Sequence, residues 1–182
     1  MKSSIKIIIA AVVIVAALVG GLFLFKHISK NYSASSNTEN ASSSLESVNH
    51  AAMDFTVYDG DGKAVSLSSL KGKSVVVNFW ADWCPPCVSE LPHFQKAYKE
   101  YDDVVFMMVN IDSTPDYVKP FLEKQGYDFP VYYDSDSSAS DAYGLSTIPR
   151  TIFVNPEGEL VKTQIGMIDE TTLNETIERI RG

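Results

Sequence analysis

Hydrophobic and polar positions divide this chain into three unlike stretches. Residues 7–25 form an unbroken run of uncharged, mostly apolar side chains held between Lys6 and Lys26. From Ser29 to about Asn49 aliphatic residues almost vanish, and eight serines fall between Ser29 and Ser47. Short periods begin only near His50. Residues 53–58 alternate and run into Asp59-Gly60-Asp61-Gly62, a turn signal, before residues 64–67; together they predict a β-hairpin. Ser-Val-Val-Val-Asn-Phe-Trp at 74–80 and Val-Val-Phe-Met-Met-Val-Asn at 104–110 are apolar at odd and even positions alike, the pattern of central strands covered on both faces. Between them Val88, Leu91, Phe94, Tyr98 and Tyr101 recur at helical spacing. Asp112-Ser113-Thr114-Pro115 reads as a helix start, with Val118, Phe121 and Leu122 on its buried side. A short strand at 129–133 and a short helix at 136–143, closed by Gly144, come next. Strands at 151–154 and 159–165 flank Asn155-Pro156-Glu157-Gly158, and Asp169 opens a last helix carrying Leu173, Ile177 and Ile180. Strands alternating with helices, then a hairpin and a helix, predict an α/β fold whose mixed sheet is covered on both faces.

The apolar run holds 19 residues. As a helix rising 1.5 Å per residue it would reach about 28 Å, close to the hydrocarbon thickness of a bilayer. The other reading, a cleaved signal peptide, calls for a shorter apolar core and a small-x-small site after it, and no Ala-x-Ala follows here. Residues 1–28 are therefore expected to be a single transmembrane anchor. Residues 29–49 are expected to be a flexible linker, since so few apolar groups cannot offset the entropy of ordering, and residues 50–182 to be the folded domain. Two lysines precede the span and two follow it, so flanking charge does not set its orientation.

Charge sharpens the division. Residues 1–30 carry four lysines and no acid, whereas the other 11 basic and all 23 acidic residues fall in 31–182, which stand near −12. Nucleic acid is a poor partner for such a surface, because phosphate binding needs clustered Lys and Arg. The chain has only two cysteines, two residues apart in Trp83-Cys84-Pro85-Pro86-Cys87. That excludes a disulfide framework and points to thiol chemistry.

The pair sits where a buried strand meets a helix. Pro85 and Pro86 suit a helix's first turn, where an N–H has no partner to lose. Cys84 then takes the N-cap, facing free N–H groups and the positive end of the helix dipole, which favour a thiolate. Cys87 lies one turn on, within reach of a disulfide with Cys84. Such a pair supports exchange: Cys84 attacks a disulfide, a mixed disulfide forms, and Cys87 resolves it. A structural zinc site would need two further ligands, and beyond His27 in the apolar flank only His50 and His93 remain. Two inert core cysteines are the other bland reading, and two prolines between them at a strand–helix junction speak against it.

Asn78-Phe79-Trp80-Ala81-Asp82-Trp83-Cys84-Pro85-Pro86-Cys87 resembles the active-site segment of the thioredoxin superfamily. The hairpin Asp59-Gly60-Asp61-Gly62-Lys63, the segment Ser68-Ser69-Leu70-Lys71-Gly72-Lys73 and residues 126–130 are similar to its extracytoplasmic TlpA/ResA-like group. The resemblance covers about residues 54–181. It implies a thioredoxin fold with an N-terminal β-hairpin and a central helix–strand insertion, and a redox-active Cys84–Cys87 disulfide with Cys84 attacking and Cys87 resolving. It further implies that Pro149, in Thr147-Ile148-Pro149-Arg150-Thr151, is a cis-proline that presents client backbone, with Trp83, Thr147 and Ile148 also in the substrate-binding surface. Glu90 matches an acidic position of the ResA-like members and is expected to exchange protons with the sulfurs; its alternative is a solvated carboxylate on the helix surface. Pro92 matches a proline that kinks the active-site helix.

Some positions depart from the pattern or invite other readings. Asn78 stands where thioredoxin has a buried aspartate. Arg150 follows the proline where many relatives have Thr, and either tunes docking of an acidic partner or is simply exposed. Met107 and Met108 are read as core rather than copper ligands. Asp134-Ser135-Asp136 is read as helix capping, since it lacks the Gly and Glu of a calcium loop.

The resemblance implies a reductase of extracytoplasmic thiol proteins, apocytochrome c among them, fed by a membrane thiol carrier of the CcdA type and placed outside the cell membrane by its anchor. No metal, flavin or nicotinamide is expected, since the dithiol is itself the redox group. Three other readings stay open: an oxidase that installs disulfides, a Cu(I)-binding chaperone, and a peroxiredoxin-like peroxidase. The last is weakened because no Pro-x-x-x-Thr-x-x-Cys pattern surrounds either cysteine.

Overall fold

Two seven-residue apolar strands, β4 (Ser74–Trp80) and β5 (Val104–Asn110), form the centre of the molecule and pair in parallel, with Ser74 opposite Val104 and Trp80 opposite Asn110. In this computed structural model residues 50–112 and 114–181 are described; the expected anchor at 1–28 and linker at 29–49 lie outside them. Within the described residues no helix is long and apolar enough to cross a membrane.

The remaining strands are β1 (His50–Ala51), β2 (Thr56–Tyr58), β3 (Ala64–Ser66), β6 (Val131–Tyr133), β7 (Arg150–Val154) and β8 (Glu159–Ile165). All eight join one sheet in the order β1-β8-β7-β4-β5-β6-β2-β3. β4, β5 and β6 run parallel, while β7, β8, β1 and the β2–β3 hairpin pair antiparallel to their neighbours. The sheet is thus mixed, as the element order implied.

Alternation along β4 supplies both faces of the core. Val76 and Trp80 point to the side covered by α1 (Pro85–Glu100), α2 (Pro115–Gln125) and α4 (Glu170–Arg181), where they meet Leu91, Phe94, Val118 and Leu173. Val75, Val77 and Phe79 point to the other side, packed with Phe55, Leu67 and Tyr143, beside α3 (Ser138–Ala142) and a 3-10 turn at Leu67–Leu70. Met107 and Met108 lie on opposite faces, both fully buried, which settles their reading as core.

Three elements start two or more residues later than the sequence pattern predicts, each for a local reason. The first hairpin strand starts at Thr56 rather than 53, because Asp54 Oδ1 accepts the N–H groups of Phe55 and Ser68 and holds the chain in a turn. The strand expected at 129–133 starts at Val131; Pro130 has no N–H to give a ladder. The short helix narrows to Ser138–Ala142, its start capped by the Asp134 carboxylate, which accepts from the N–H of Ala139 and Ser140 at 2.9 and 2.8 Å.

Candidate active site

β4 delivers the chain to the helix mouth. Its last residues, Phe79 and Trp80, are fully buried, one on each face, which fixes the direction in which the next segment leaves the sheet. Residues 82–84 turn, and α1 begins at Pro85 with Cys84 as its N-cap in extended backbone geometry. The Cys84 sulfur accepts the N–H of Cys87 at 3.4 Å, a donor that α1 itself leaves unpaired. Cys84 and Cys87 are joined as a disulfide, their Cα atoms 5.3 Å apart. Cys84 is 5% exposed and Cys87 is closed off, so any partner sulfur reaches the bond through Cys84.

The residues around the pair divide by exposure. Trp83 is 60% exposed, and its indole N–H donates to Asp112 Oδ2 at 2.9 Å, which pins the ring beside the disulfide. The Ile148–Pro149 peptide is cis, with Thr147 exposed, Ile148 half-buried and Pro149 buried. The Pro149 carbonyl accepts the N–H of Gly166 at 2.9 Å, so the proline is braced by the end of β8. Gly166 has φ +82°, a backbone setting that a residue with Cβ enters only with strain. Arg150 is half-buried and its Nη1 donates to the Tyr143 carbonyl at 2.7 Å. It is therefore partly engaged inside the fold, which corrects the reading of it as a simply exposed group.

Glu90 changes most between sequence and structure. The buried face of α1 carries Cys87, Glu90, Leu91, Phe94 and Ala97, whereas Val88 is half-buried. The face that meets the sheet is thus turned by about one residue from the stripe the apolar pattern suggested, and Glu90 goes with it. Its side chain is fully inaccessible, so the solvated-surface alternative does not hold. Asn78 Nδ2 donates to Glu90 Oε1 at 2.8 Å, and the Ile168 backbone N–H donates to Oε2 at 2.8 Å. Burial pushes the Glu90 carboxyl up to about 7, and the hydrogen bonds from Ile168 and Asn78 oppose the rise without cancelling it. Such a group changes protonation near neutrality, and it shares the buried face of α1 with Cys87.

Sequence reasoning noted Asn78 as a departure from thioredoxin's aspartate but did not foresee the hydrogen bonds of Asn78 and Ile168 to Glu90, nor that of Asn78 to Thr151. Asn78 gave one signal, a lone amide inside an otherwise apolar strand. Among the described residues no cluster of His, Cys, Asp or Glu fits a metal ion.

Comparison with known proteins gives a consistent picture. The sequence model of the AhpC/TSA family matches residues 48–163. The thiol-disulfide oxidoreductase ResA of Halalkalibacterium halodurans is 36% identical over 143 residues, covering 78% of this chain and 81% of that protein. ResA of Bacillus subtilis is 37% identical over 132 residues, covering 71% and 74%. Among solved structures, StoA from Bacillus subtilis superposes with a TM-score of 0.59 at 32% identity, over 68% of this chain and 96% of that one. The pneumococcal exposed lipoprotein thioredoxin Etrx1 from Streptococcus pneumoniae does so with a TM-score of 0.61 at 31% identity, over 69% and 98%.

Proposed function

Since the chain belongs to the AhpC/TSA family of the thioredoxin superfamily and is a thiol–disulfide oxidoreductase akin to ResA, we propose that it works as a reductase of extracytoplasmic client proteins, held at the membrane by residues 7–25. The observation that carries this reading is the Cys84–Cys87 disulfide at the mouth of α1, with Cys84 outermost and the buried Glu90 on the same inner face of the helix as Cys87.

In the reduced protein the Cys84 thiolate is stabilised by the N–H groups and dipole at the start of α1. It attacks one sulfur of a client disulfide, a Cys84–client bond forms, and the other client sulfur leaves as a thiolate. Cys87 then gives its proton to the Glu90 carboxylate and attacks Cys84. The Cys84–Cys87 bond re-forms and the client departs with both cysteines reduced. Two electrons have passed from the protein's dithiol to the client, which needs no other redox group. Trp83, Thr147, Ile148 and the cis peptide at Pro149 form the surface against which the client backbone lies during attack.

A membrane thiol carrier of the CcdA type would return the two electrons, and apocytochrome c thiols are the client class we favour. Two things support placement outside the cell: the apolar run at 7–25 followed by a serine-rich stretch, and a structural relative described as an exposed lipoprotein. A flexible tether of about 20 residues would have an r.m.s. reach of roughly 25 Å, which would raise the domain's effective concentration at a membrane donor.

The test is capture of partners. Cys87→Ser should accumulate mixed disulfides with clients in intact cells, and Cys84→Ser should not. Capture by Cys84→Ser alone, or by neither variant, would overturn the assignment of attacker and resolver. Direction is read from the thiol state of the protein in cells. A reductase is held mainly as the dithiol and becomes oxidised when the membrane donor is removed.

A further inference from the structure

The hydrogen-bond set around Glu90 contains an imbalance. Glu90 receives two N–H donors, one from Asn78 and one from Ile168. Asn78 Nδ2 gives a second hydrogen bond to Thr151 Oγ1 at 3.0 Å. Asn78 Oδ1, on the same fully buried side chain, has no partner. This arrangement suits one protonation state only, the Glu90 carboxylate, which accepts and never donates. A proton on Glu90 would add a donor to a set that already consists of donors facing it.

In the chain Glu90–Asn78–Thr151, the Asn78 carboxamide and the Thr151 hydroxyl can each exchange donor for acceptor without moving their backbones. Rotating the Asn78 amide by half a turn would bring the orphaned Oδ1 onto Glu90, ready to accept its O–H. The Thr151 hydroxyl, now an acceptor, could equally donate.

We propose that Asn78, backed by Thr151, is the positioning pair of this site: the amide turns with the Glu90 proton, donating to the carboxylate and accepting from the acid. The inference rests on the proton-accepting role given to Glu90 above. Its chemical content is one proton moving from the Cys87 Sγ–H to Glu90 and back, with no change in any bond of Asn78 or Thr151. An aspartate at position 78 would place a second carboxylate 2.8 Å from the first, and the two could not both ionise. The amide avoids that conflict and leaves a single titrating carboxyl.

No charged group disturbs this balance from the packed elements. β4 presents Asn78 and β7 presents Thr151, neither of which titrates. On α1 itself the titratable neighbours are Cys84 and Cys87, here oxidised, and His93, whose ring lies 3.8 Å from Glu170. From the α4 side come the Ile168 N–H, then Asp169, held by Thr172, and Glu170, paired with Lys96.

The full-length protein in detergent, with carbon-labelled Glu side chains, gives the Glu90 titration directly, and nitrogen labelling gives the Asn78 amide signals in the same samples. In the wild type the Asn78 signals should titrate with the Glu90 midpoint. Asn78→Leu should raise that midpoint by about half to one pH unit, because the bond lost from the charged carboxylate is worth roughly twice the bond lost from the neutral acid. Thr151→Val should shift it the same way by less, and Thr151→Ser should restore the wild-type value. Asn78 signals that ignore pH through the Glu90 transition, or a midpoint unmoved in both Asn78→Leu and Thr151→Val, would overturn the proposal. Should Asn78→Leu fail to fold, the wild-type signals and the Thr151 pair still decide. Glu90→Gln separates this from the catalytic reading: an unchanged pH–rate profile in that variant sinks the role of Glu90 in exchange, whereas a changed profile with an indifferent Asn78 sinks only the present inference.

Discussion

Glu90 is a carboxyl without a cation. Among the described residues its partners are an amide and a backbone N–H, and burial outweighs both. Because its folded-state value is raised from 4.5 to about 7, the native protein holds a proton that the unfolded chain has already lost. Stability from this group is therefore complete below about pH 4.5 and falls as pH rises toward 7. The loss amounts to about 3 kcal/mol across that window. Glu90→Gln, neutral at every pH, should flatten this decline in urea-denaturation curves taken from pH 4 to pH 8. A slope as steep as that of the wild type would show that Glu90 titrates in the native protein as it does in the unfolded chain. At the same scale, residue type alone identified Cys84 and Cys87, whereas the role of Pro149 came from the family resemblance. It left Glu90 open between two opposite environments, since a carboxylate at a helical position says nothing about which face will meet the sheet.

The elements owe their ends to side chains as much as to periodicity. α1 starts where Pro85 and Pro86 can follow a residue that accepts from a free N–H, and Cys84 is that residue. α3 is only Ser138–Ala142, too short to hold itself, and depends on Asp134. Asp134 is 6% exposed and accepts from two backbone N–H groups, so Asp134→Ala should cost about 1–2 kcal/mol in chemical denaturation. It should leave insulin reduction by the folded protein unchanged, because α3 packs on the sheet face opposite Cys84 and Cys87. A fall in activity without a fall in stability would mean that α3 communicates with the site. Strands β4, β5 and β8 were legible to the residue, since seven-residue runs bounded by turns leave little choice. The shorter β2 and β6 were not, because Asp54 and Pro130 alter hydrogen bonding in ways that a hydrophobicity pattern does not register.

Across the whole molecule the charge is uneven, with residues 31–182 near −12. Encounter with a client should then depend on the client's charge. Reduction of a basic client should slow by about 3- to 10-fold between low salt and 0.5 M salt, as the Debye length shrinks to a few ångströms. An acidic client should speed up, and stopped-flow measurement of both checks the sign. Equal salt dependence for the two would mean that encounter is governed by local contacts around Trp83 and Pro149 rather than by the field of the domain. Sheet order belongs to this scale too. The hairpin that begins the domain pairs through β2 with β6, so its position at the far side of the sheet follows from neither strand's own sequence.

The amino-acid sequence by itself determined the thiol pair, its place between a buried strand and a helix, and the central strands, because each depends on residue types within a few positions of one another. The tertiary structure alone decided the surroundings of Glu90. Asn78 is 12 positions from it in the chain, Ile168 is 78 away, and Thr151 is 73 from Asn78. They meet because β7 pairs with β4 in a register that sets Thr151 opposite Asn78, and because α1 turns Glu90 toward that pair. Local pattern carries no information about strand register or helix rotation across such separations; packing of the whole core selects them.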